Sequence, residues 1–249
     1  MSETITHIIT EDRLLGGRVI LRQPAEGYRA AIDPVLLSAA AAPVAGSEVL
    51  DAGCGAGAAL FSLAARCNRV SLTGLERDPS MAALARDSIA LNGAEGRVRI
   101  VEGDIGAPPS ALLGVFDMVI TNPPYAADGT LAPNAFRAVA NHESDVDLAA
   151  WIAGCLKCLK PKGRLVMIHR ADRLSDVLTA LNGPTGDIHI LPIQPRSAEP
   201  ARRVIVDAGK QRRTPDTLLP AFILHGPDGA YTAAAQAILR DAMPLPMSP

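Results

Sequence analysis

Long apolar runs are absent from this sequence, which argues against a membrane-spanning protein. The longest apolar-looking stretch, residues 35–45, contains Ser38 and Pro43 and is far shorter than the ~20 residues that a membrane-spanning helix needs. The first thirty residues carry Glu3 and Glu11 and no uninterrupted apolar segment, so no secretory signal is visible. We therefore expect a cytoplasmic protein without a membrane partner.

Cysteine is also scarce. The four cysteines, at positions 54, 67, 155 and 158, do not suggest a disulfide framework in a chain of 249 residues without a visible signal peptide. Cys155 and Cys158 have the spacing of a metal or redox pair, but they fall in a predicted helix with no second ligand pair nearby. We expect them to pack as small hydrophobic side chains, and we expect no metal site.

The rest of the composition is that of an ordinary globular protein, with 48% hydrophobic and 20% charged residues. A chain of this length can bury the core of one α/β domain. We expect a single domain over residues 1–249, in which an N-terminal extension, 1–45, precedes the core, 46–249.

Charge is distributed unevenly along the chain. Residues 1–150 contain 11 basic and 18 acidic side chains, whereas residues 151–215 contain 12 basic and 5 acidic ones. A basic segment suits a polyanionic partner, because phosphate neutralisation supplies most sequence-independent affinity for nucleic acid. Solvated surface charge explains the segment equally well. Its best candidate for phosphate contact is the compact run Lys210-Gln211-Arg212-Arg213.

Apolar runs alternate with helical patterns from Ser47 onward, which predicts a parallel sheet built from strand–helix–strand units. Asp78-Pro79 and Asn92-Gly93 are typical of the start and the end of a helix. Before the sheet, Gly16-Gly17 suggests a hairpin, and a helix is expected around residues 34–42. The predicted strands are 48–52, 70–76, 98–102, 116–121, 164–169, 187–191 and 203–207. The predicted helices are 58–66, 79–92, 145–159 and 171–181.

A glycine-rich loop follows the first predicted strand of the sheet, in the segment Asp51-Ala52-Gly53-Cys54-Gly55-Ala56-Gly57. Glycine permits positive φ and lets a ligand approach the backbone closely. The spacing differs from the dinucleotide-binding fingerprint, and no Lys-Ser/Thr pair follows as in a P-loop. A cofactor without a pyrophosphate therefore fits this loop better.

Acidic residues lie at the ends of the next two strands. Glu76 lies 25 residues beyond Asp51, where a carboxylate can accept both hydroxyl hydrogens of a ribose. Asp104 can accept a hydrogen bond from the exocyclic amine of an adenine. Because the carboxyl ends of parallel strands meet at one edge of a sheet, these groups are expected to face one crevice with the glycine loop.

The tetrapeptide Asn122-Pro123-Pro124-Tyr125 follows the fourth strand. Its prolines remove two backbone donors and fix φ, which makes a stiff turn with outward-pointing carbonyls. The side-chain oxygen of Asn122 and the carbonyl of Pro123 can accept both hydrogens of one conjugated amino group, favouring a tetrahedral nitrogen that attacks in line. Tyr125 can stack on the planar group.

With these residues the sequence resembles the class I S-adenosylmethionine-dependent methyltransferases, and within them the amino-methyltransferases marked by Asn-Pro-Pro-Tyr. A second resemblance extends over nearly the whole chain and is to the bacterial tRNA(Val) anticodon-loop adenine N(6)-methyltransferases. The residues that carry it are Gln23-Pro24-x-x-Gly27-Tyr28-Arg29-x-x-x-Asp33-x-Val35-Leu36-Leu37, Ala201-Arg202-Arg203-Val204-Ile205-Val206 and Leu224-His225-x-x-x-Gly229-x-Tyr231-Thr232.

The resemblance implies a Rossmann-like α/β fold: a seven-stranded, mostly parallel sheet with a reversed final hairpin and helices on both faces. It implies S-adenosylmethionine as cofactor, tRNA as partner, and methyl transfer to the exocyclic amino nitrogen of an adenine. The implied cofactor contacts are Asp51, Gly53, Glu76, Asp104 and Asn122. We add Gly55, the second glycine of the loop, to these cofactor-binding residues. The implied catalytic contacts to the target amine are Asn122, Pro123 and Tyr125.

Two other functions remain open from the sequence. The glutamine N(5)-methyltransferases of peptide release factors share the tetrapeptide, but they usually carry a long helical domain where this chain has about 45 residues before the sheet. A noncatalytic RNA- or cofactor-binding protein of the same fold would be marked by loss of Asn122 or of the loop glycines. Neither is lost here.

Overall fold

A computed structural model describes residues 8–25, 32–124 and 147–247 of the chain. These ranges form a large sheet flanked by helices, with a two-stranded hairpin before it. The strands are β1 (Ile9–Leu14), β2 (Val19–Pro24), β3 (Glu48–Ala52), β4 (Ser71–Glu76), β5 (Val98–Glu102), β6 (Phe116–Thr121), β7 (Leu159–Arg170), β8 (Thr185–Gln194), β9 (Arg203–Lys210), β10 (Thr217–Leu218) and β11 (Phe222–Ile223). The helices are α1 (Ile32–Ala40), α2 (Ala58–Arg66), α3 (Pro79–Leu91), α4 (Leu148–Cys158), α5 (Leu174–Leu181) and α6 (Ala233–Asp241).

The seven long strands of the sheet are ordered β5-β4-β3-β6-β7-β9-β8, and the short strands β10 and β11 both pair with β8. All described pairs run parallel except those of β9, which is antiparallel to both β7 and β8. The mostly parallel sheet with a reversed final hairpin is therefore confirmed, and the short strands β10 and β11 bring the expected seven strands to nine. Because β9 follows β8 in sequence but lies between β7 and β8, the last hairpin folds back into the sheet.

Side chains alternate between two hydrophobic clusters, one on each face of the sheet. Val49 and Ile120 belong to the cluster that also contains buried residues of α1 and α2. Leu50 and Val119, the neighbours of those residues along each strand, belong to the cluster that contains buried residues of α4 and α5. Successive residues of a strand point to opposite faces, so strands that are apolar at nearly every position require cover on both sides.

The N-terminal elements pack onto the same sheet. The hairpin of β1 and β2 turns through Leu15–Gly17, as the glycine pair predicted. It is docked on the end of α3 by the Asn92 side-chain amide, which accepts from the Ile20 amide at 2.9 Å and donates to the Ile20 carbonyl at 2.7 Å. Asp33 of α1 forms an ion pair of 2.8 Å with Arg203 at the start of β9.

The start of α3 follows the predicted chemistry. The Asp78 side chain accepts from the backbone amides of Ser80 and Met81, and Pro79 occupies the first turn of α3. The predicted helix over 171–181 is divided in two: a 3-10 turn over Ala171–Arg173 is followed by α5. The predicted loop over 126–141 lies outside the described residues.

Cys155 and Cys158 are buried in α4, and burial raises the pKa of both thiols. This packing agrees with the hydrophobic role expected of them. Over the described ranges, no group of three or more His, Cys, Asp or Glu side chains is arranged to hold a metal ion. The helices described here are all too short or too polar to span a bilayer.

Candidate active site

The glycine loop between β3 and α2 has a backbone that only glycine adopts readily. Gly53, Gly55 and Gly57 have φ values of 71°, 55° and 93°, all in the left-handed region. A Cβ atom at Gly53 would lie 2.6 Å from the Trp151 ring, and one at Gly57 would lie 2.5 Å from the Phe61 ring. The alternating glycines therefore combine left-handed backbone with close packing, which explains why the sequence repeats them at every second position.

Glu76 holds this loop against the end of β4. The Gly55 amide donates to one oxygen of the Glu76 carboxylate at 2.8 Å, and the Asp78 amide donates to the other at 2.8 Å. The Gly53 amide donates to the Leu75 carbonyl at 2.8 Å. Glu76 is half-buried, and burial raises the pKa of its carboxyl group. The predicted ribose-binding residue thus also fixes the loop beside which a ribose would lie.

Asp51 is almost completely buried beneath the glycine loop, with 2% of its surface exposed. Its Oδ2 atom is buried without a hydrogen-bond partner among the residues that the structure describes. Burial raises the pKa of Asp51 to about 7; the Leu60 amide opposes this shift, and the charge of Glu76 adds to it. A buried carboxyl with an unsatisfied oxygen costs folding free energy, which is a common property of ligand-binding groups.

Asp104 lies two residues beyond the end of β5 and is exposed. Its Oδ1 atom accepts from the Gly106 amide at 2.7 Å, which fixes the carboxylate at the sheet edge. The neighbouring Gly103 amide donates to the Glu76 carbonyl at 2.9 Å, so the ends of β4 and β5 stay together beyond the last paired residues.

The Asn122-Pro123-Pro124 turn leaves the end of β6 beside the glycine loop. Thr121, the last residue of β6, is the register partner of Ala52, the last residue of β3. The residues that follow these two, Asn122 and Gly53, therefore leave adjacent strands at the same level. Asn122 is half-buried, Pro123 is buried and Pro124 is exposed. Tyr125, the fourth residue of the motif, lies outside the described residues.

A buried hydrogen-bond chain joins this turn to the glycine loop. The Trp151 indole Nε1 of α4 donates to Thr121 Oγ1 at 2.9 Å, and Thr121 Oγ1 donates to the Ala52 carbonyl at 2.8 Å. Trp151 also packs its ring against Gly53. The Trp151 side chain thus contacts Thr121, which precedes the Asn122 turn, and Gly53, which lies in the glycine loop. No sequence motif marks Trp151, so its place in the site was missed by sequence reasoning.

A comparison with protein families agrees with this geometry. Residues 43–195 match a family described as a methyltransferase domain, which covers more than half of the chain.

The chain belongs to the methyltransferase-domain family.

Curated relatives of this methyltransferase carry a more specific name. A protein of Porphyromonas gingivalis named tRNA1(Val) (adenine(37)-N6)-methyltransferase is 35% identical over 156 residues, which are 60% of this chain and 61% of the relative. The chain thus spans about three fifths of that relative's length. A protein of the same name from Shewanella sp. is 27% identical over 219 residues, covering 86% of this chain and 92% of the relative.

Among solved structures, the crystal structure of a predicted O-methyltransferase from Agrobacterium tumefaciens superimposes with a TM-score of 0.70. It is 28% identical in sequence and covers 83% of this chain and 94% of that one. The expected Rossmann-like methyltransferase fold is confirmed by these comparisons.

The residues at this edge of the methyltransferase domain fit S-adenosylmethionine, which carries a positive sulfonium and a positive amino group. Asp51 and Glu76 are two carboxyl groups whose pKa values burial has raised, so a cation bound near them would favour their ionised forms. The unsatisfied Oδ2 of Asp51 is an available acceptor for such a cation. Glu76 ends β4, and Asp104 follows the end of the adjacent strand β5 by two residues, so the two can accept from ribose hydroxyls and from an adenine amine.

The basic run Lys210-Gln211-Arg212-Arg213 lies at the opposite edge of the sheet. β9 is antiparallel to β7, and Gly209 pairs with Arg164 near the start of β7, so the end of β9 lies away from the carboxyl ends of the parallel strands. Lys210 Nζ donates to the carbonyls of Leu156 and Leu159 at 2.6 and 2.7 Å, which caps the end of α4. Lys210 therefore stabilises the end of α4, contrary to its predicted role in a phosphate patch.

Proposed function

We propose that this methyltransferase transfers a methyl group from S-adenosylmethionine to the exocyclic amino nitrogen of an adenine in tRNA. The observation that carries the proposal is the Asn122-Pro123-Pro124 turn, which leaves β6 in register with the glycine loop of β3. An amine held by this turn would lie beside a cofactor held by the loop. The names of the curated relatives add tRNA1(Val) adenine 37 as the first substrate to test. A cytoplasmic location would give the protein access to that substrate.

Each site residue has a proposed task. The cofactor supplies an electrophilic methyl group. Asp51 would offer its free oxygen to the positive charge of the amino-acid part, and Gly53 and Gly55 would let that part approach the backbone. Glu76 would accept from the ribose hydroxyls, and Asp104 from the adenine amine of the cofactor.

The catalytic contribution of the turn is orientation of a weak nucleophile. The lone pair of an adenine amine is delocalised into the ring, so the free amine attacks poorly. The Asn122 side-chain oxygen and the Pro123 carbonyl would accept one amine hydrogen each and favour a tetrahedral nitrogen. The turn would thus hold the nitrogen in line with the methyl group that bound S-adenosylmethionine would supply, with the sulfur as leaving group. The nitrogen then releases one proton to solvent, so no strong general base is needed.

Further contacts complete the proposed substrate site. Asn122 also borders the cofactor, because it follows the strand next to the glycine loop. Tyr125 is proposed to stack on the target adenine, since aromatic side chains hold extruded bases in this way. Trp151 and Thr121 would keep both turns at a fixed separation through their buried hydrogen-bond chain.

The test is methyl transfer from cofactor labelled in its methyl group to unmodified tRNA1(Val) transcript, followed by nucleoside analysis. N(6)-methyladenosine is the expected product. Asn122→Ala should lower kcat by at least about 100-fold, because it removes an acceptor used in the transition state, while the cofactor Kd changes little. Asn122→Asp is the matched variant that keeps an acceptor oxygen.

Other products would refute the proposal in distinguishable ways. Label on a release-factor glutamine, with none on tRNA, would establish the glutamine N(5)-methyltransferase function. Label on a hydroxyl oxygen would agree instead with the name of the Agrobacterium structure. Binding of RNA and cofactor without any transfer would identify a noncatalytic protein of this fold.

A further inference from the structure

A pair of stacked rings lies in the turn between β11 and α6. The ring centroids of His225 and Tyr231 are 4.6 Å apart, and the ring planes meet at 23°. Tyr231 is 38% exposed and His225 is half-buried. Aromatic residues make up only 3% of the chain. Of the five that the structure describes, Phe61, Phe116, Trp151, Phe222 and Tyr231, only Tyr231 is exposed.

Backbone hydrogen bonds close the turn, and the His225 ring also forms a hydrogen bond of 3.1 Å with the Gly229 carbonyl. The Thr232 amide donates to the Leu224 carbonyl at 2.9 Å, and the Gly226 amide donates to the Ala230 carbonyl at 2.9 Å. The Thr232 hydroxyl also donates to the Ile223 carbonyl at 3.0 Å. The Tyr231 ring is therefore partly exposed in a turn that has hydrogen bonds of its own.

An arginine lies beside Gly229, in the same turn as the rings. Arg196 Nη2 is 3.9 Å from the position that a Cβ atom of Gly229 would take, and the Arg196 side chain is 51% exposed. It pairs with Glu199 at 2.7 Å, and Arg202 pairs with the same carboxylate at 3.5 Å. Asp228, in the turn itself, accepts from the Ala230 amide. Because exposed ion pairs are weak, a phosphate can replace Glu199 as the partner of Arg196 at little cost.

The stacked pair lies on the same edge of the sheet as the Asn122 turn. β8 runs parallel to β7, and β11 pairs in parallel with the last residues of β8. The turn that follows β11 therefore emerges where the carboxyl ends of the parallel strands emerge. β7, β9 and β8 separate β6 from β11, so at about 4.8 Å per strand the two ends lie roughly 19 Å apart. A short run of single-stranded nucleotides can span that separation.

We infer that Tyr231, stacked on His225 and flanked by Arg196, is a second contact site for the substrate RNA, which stacks the base of a nucleotide outside the target adenine. This inference rests on the proposed function. A base would stack on the exposed part of the Tyr231 ring, while Arg196 would meet the adjacent phosphate. Stacking of this kind tolerates any base, so the site would add affinity without reading sequence.

The experiment measures the Kd of unmodified tRNA1(Val) transcript and the steady-state constants of its methylation for matched variants. Tyr231→Ala should raise the Kd and the KM for tRNA by roughly 5- to 150-fold, the range that loss of one stacked base produces. Tyr231→Phe, which keeps the ring, should stay within about 2-fold of the wild type. Arg196→Gln should lower the slope of log Kd against log salt by about 0.7, as expected for one phosphate contact to a single strand. Arg213→Gln, at the opposite edge of the sheet, should change neither value.

Two further readouts separate binding from folding and from chemistry. For Tyr231→Ala, kcat at saturating tRNA and the cofactor Kd should remain within about 2-fold of the wild type, and the melting temperature should be unchanged. Equal tRNA affinity of wild type and Tyr231→Ala, in an enzyme that methylates the transcript, would overturn the inference and leave the proposed function intact. A wild type that neither binds nor methylates RNA would overturn the proposed function and the inference with it. A loss in Arg213→Gln but not in Arg196→Gln would assign RNA contact to the other edge of the sheet.

Discussion

Replacing Asp51 by asparagine should make the cofactor-free protein more stable relative to the wild type as the pH rises. Burial raises the pKa of Asp51 to about 7, whereas a free aspartate has a pKa of 3.8. Between these values the unfolded chain carries an ionised carboxylate and the folded chain still binds the proton. The folded state then binds more protons, so its stability falls with rising pH until about pH 7 and is constant above it.

The magnitude follows from the two pKa values. Raising the pH from 5 to 8 should lower the unfolding free energy of the wild type by about 2–3 kcal/mol through the titration of Asp51 alone. Asparagine does not titrate, so Asp51→Asn escapes this loss. At pH 5 the carboxyl of the folded wild type is protonated and resembles the amide, which makes that pH the baseline for the comparison.

Urea unfolding of both proteins at pH 5 and pH 8 measures the effect. The difference in unfolding free energy, variant minus wild type, should be larger at pH 8 by about 2–3 kcal/mol, and groups that do not interact with Asp51 cancel in it. The same variant should bind the cationic cofactor more weakly at pH 8. An unchanged difference at the two pH values would refute the assignment of a buried, proton-binding Asp51.

Three further predictions, two of them with a companion variant, test the packing of the site and the fold. Gly53→Ala should lower the unfolding free energy by about 2–4 kcal/mol in a denaturation assay, because it forces φ of 71° on alanine and places a Cβ against Trp151. Gly55→Ala is the control, since it forces positive φ on alanine without such a contact, and it should lower the unfolding free energy by about 1–2 kcal/mol. Trp151→Phe should lower the unfolding free energy by about 1–3 kcal/mol, and it should lower kcat more than it raises the cofactor Kd. A double-mutant cycle with Thr121→Val should show coupling in unfolding free energy, and additive effects would contradict the hydrogen-bond chain. Lys210→Met should lower the melting temperature by several degrees without weakening tRNA binding, because the ammonium group of Lys210 caps α4. Weaker tRNA binding at an unchanged melting temperature would show instead that Lys210 belongs to a phosphate-binding patch.

Local patterns predicted the strands that position the site. β3, β5 and β6 begin and end at the expected residues, because buried parallel strands read as short apolar runs bounded by turn residues. β7 was predicted from Arg164 but begins at Leu159, since residues 160–163 carry lysine, proline and glycine and show no apolar alternation. The two-residue strands β10 and β11 exist only through pairing with β8, which no local pattern encodes.

The site was predictable where a residue acts through its own loop and unpredictable where it acts through distant packing. The positive φ of the loop glycines and the position of Asn122 at a strand end follow from short motifs. The contact of Trp151 with Gly53 joins residues about a hundred positions apart and depends on how α4 lies on the sheet. The use of Lys210 as a helix cap, instead of a surface cation, likewise depends on tertiary packing.

The insertion of β9 between β7 and β8 sets an order of events during synthesis. When β8 leaves the ribosome, the strand that will separate it from β7 has not yet been made, so both of its edges lack their final partners. Unpaired strand edges are templates for wrong pairing with another chain. The edge of β8 that will pair with β9 is therefore open to wrong pairing from the synthesis of Gln194 to that of Lys210, the end of β9, and the other edge until β10 and β11 have been made.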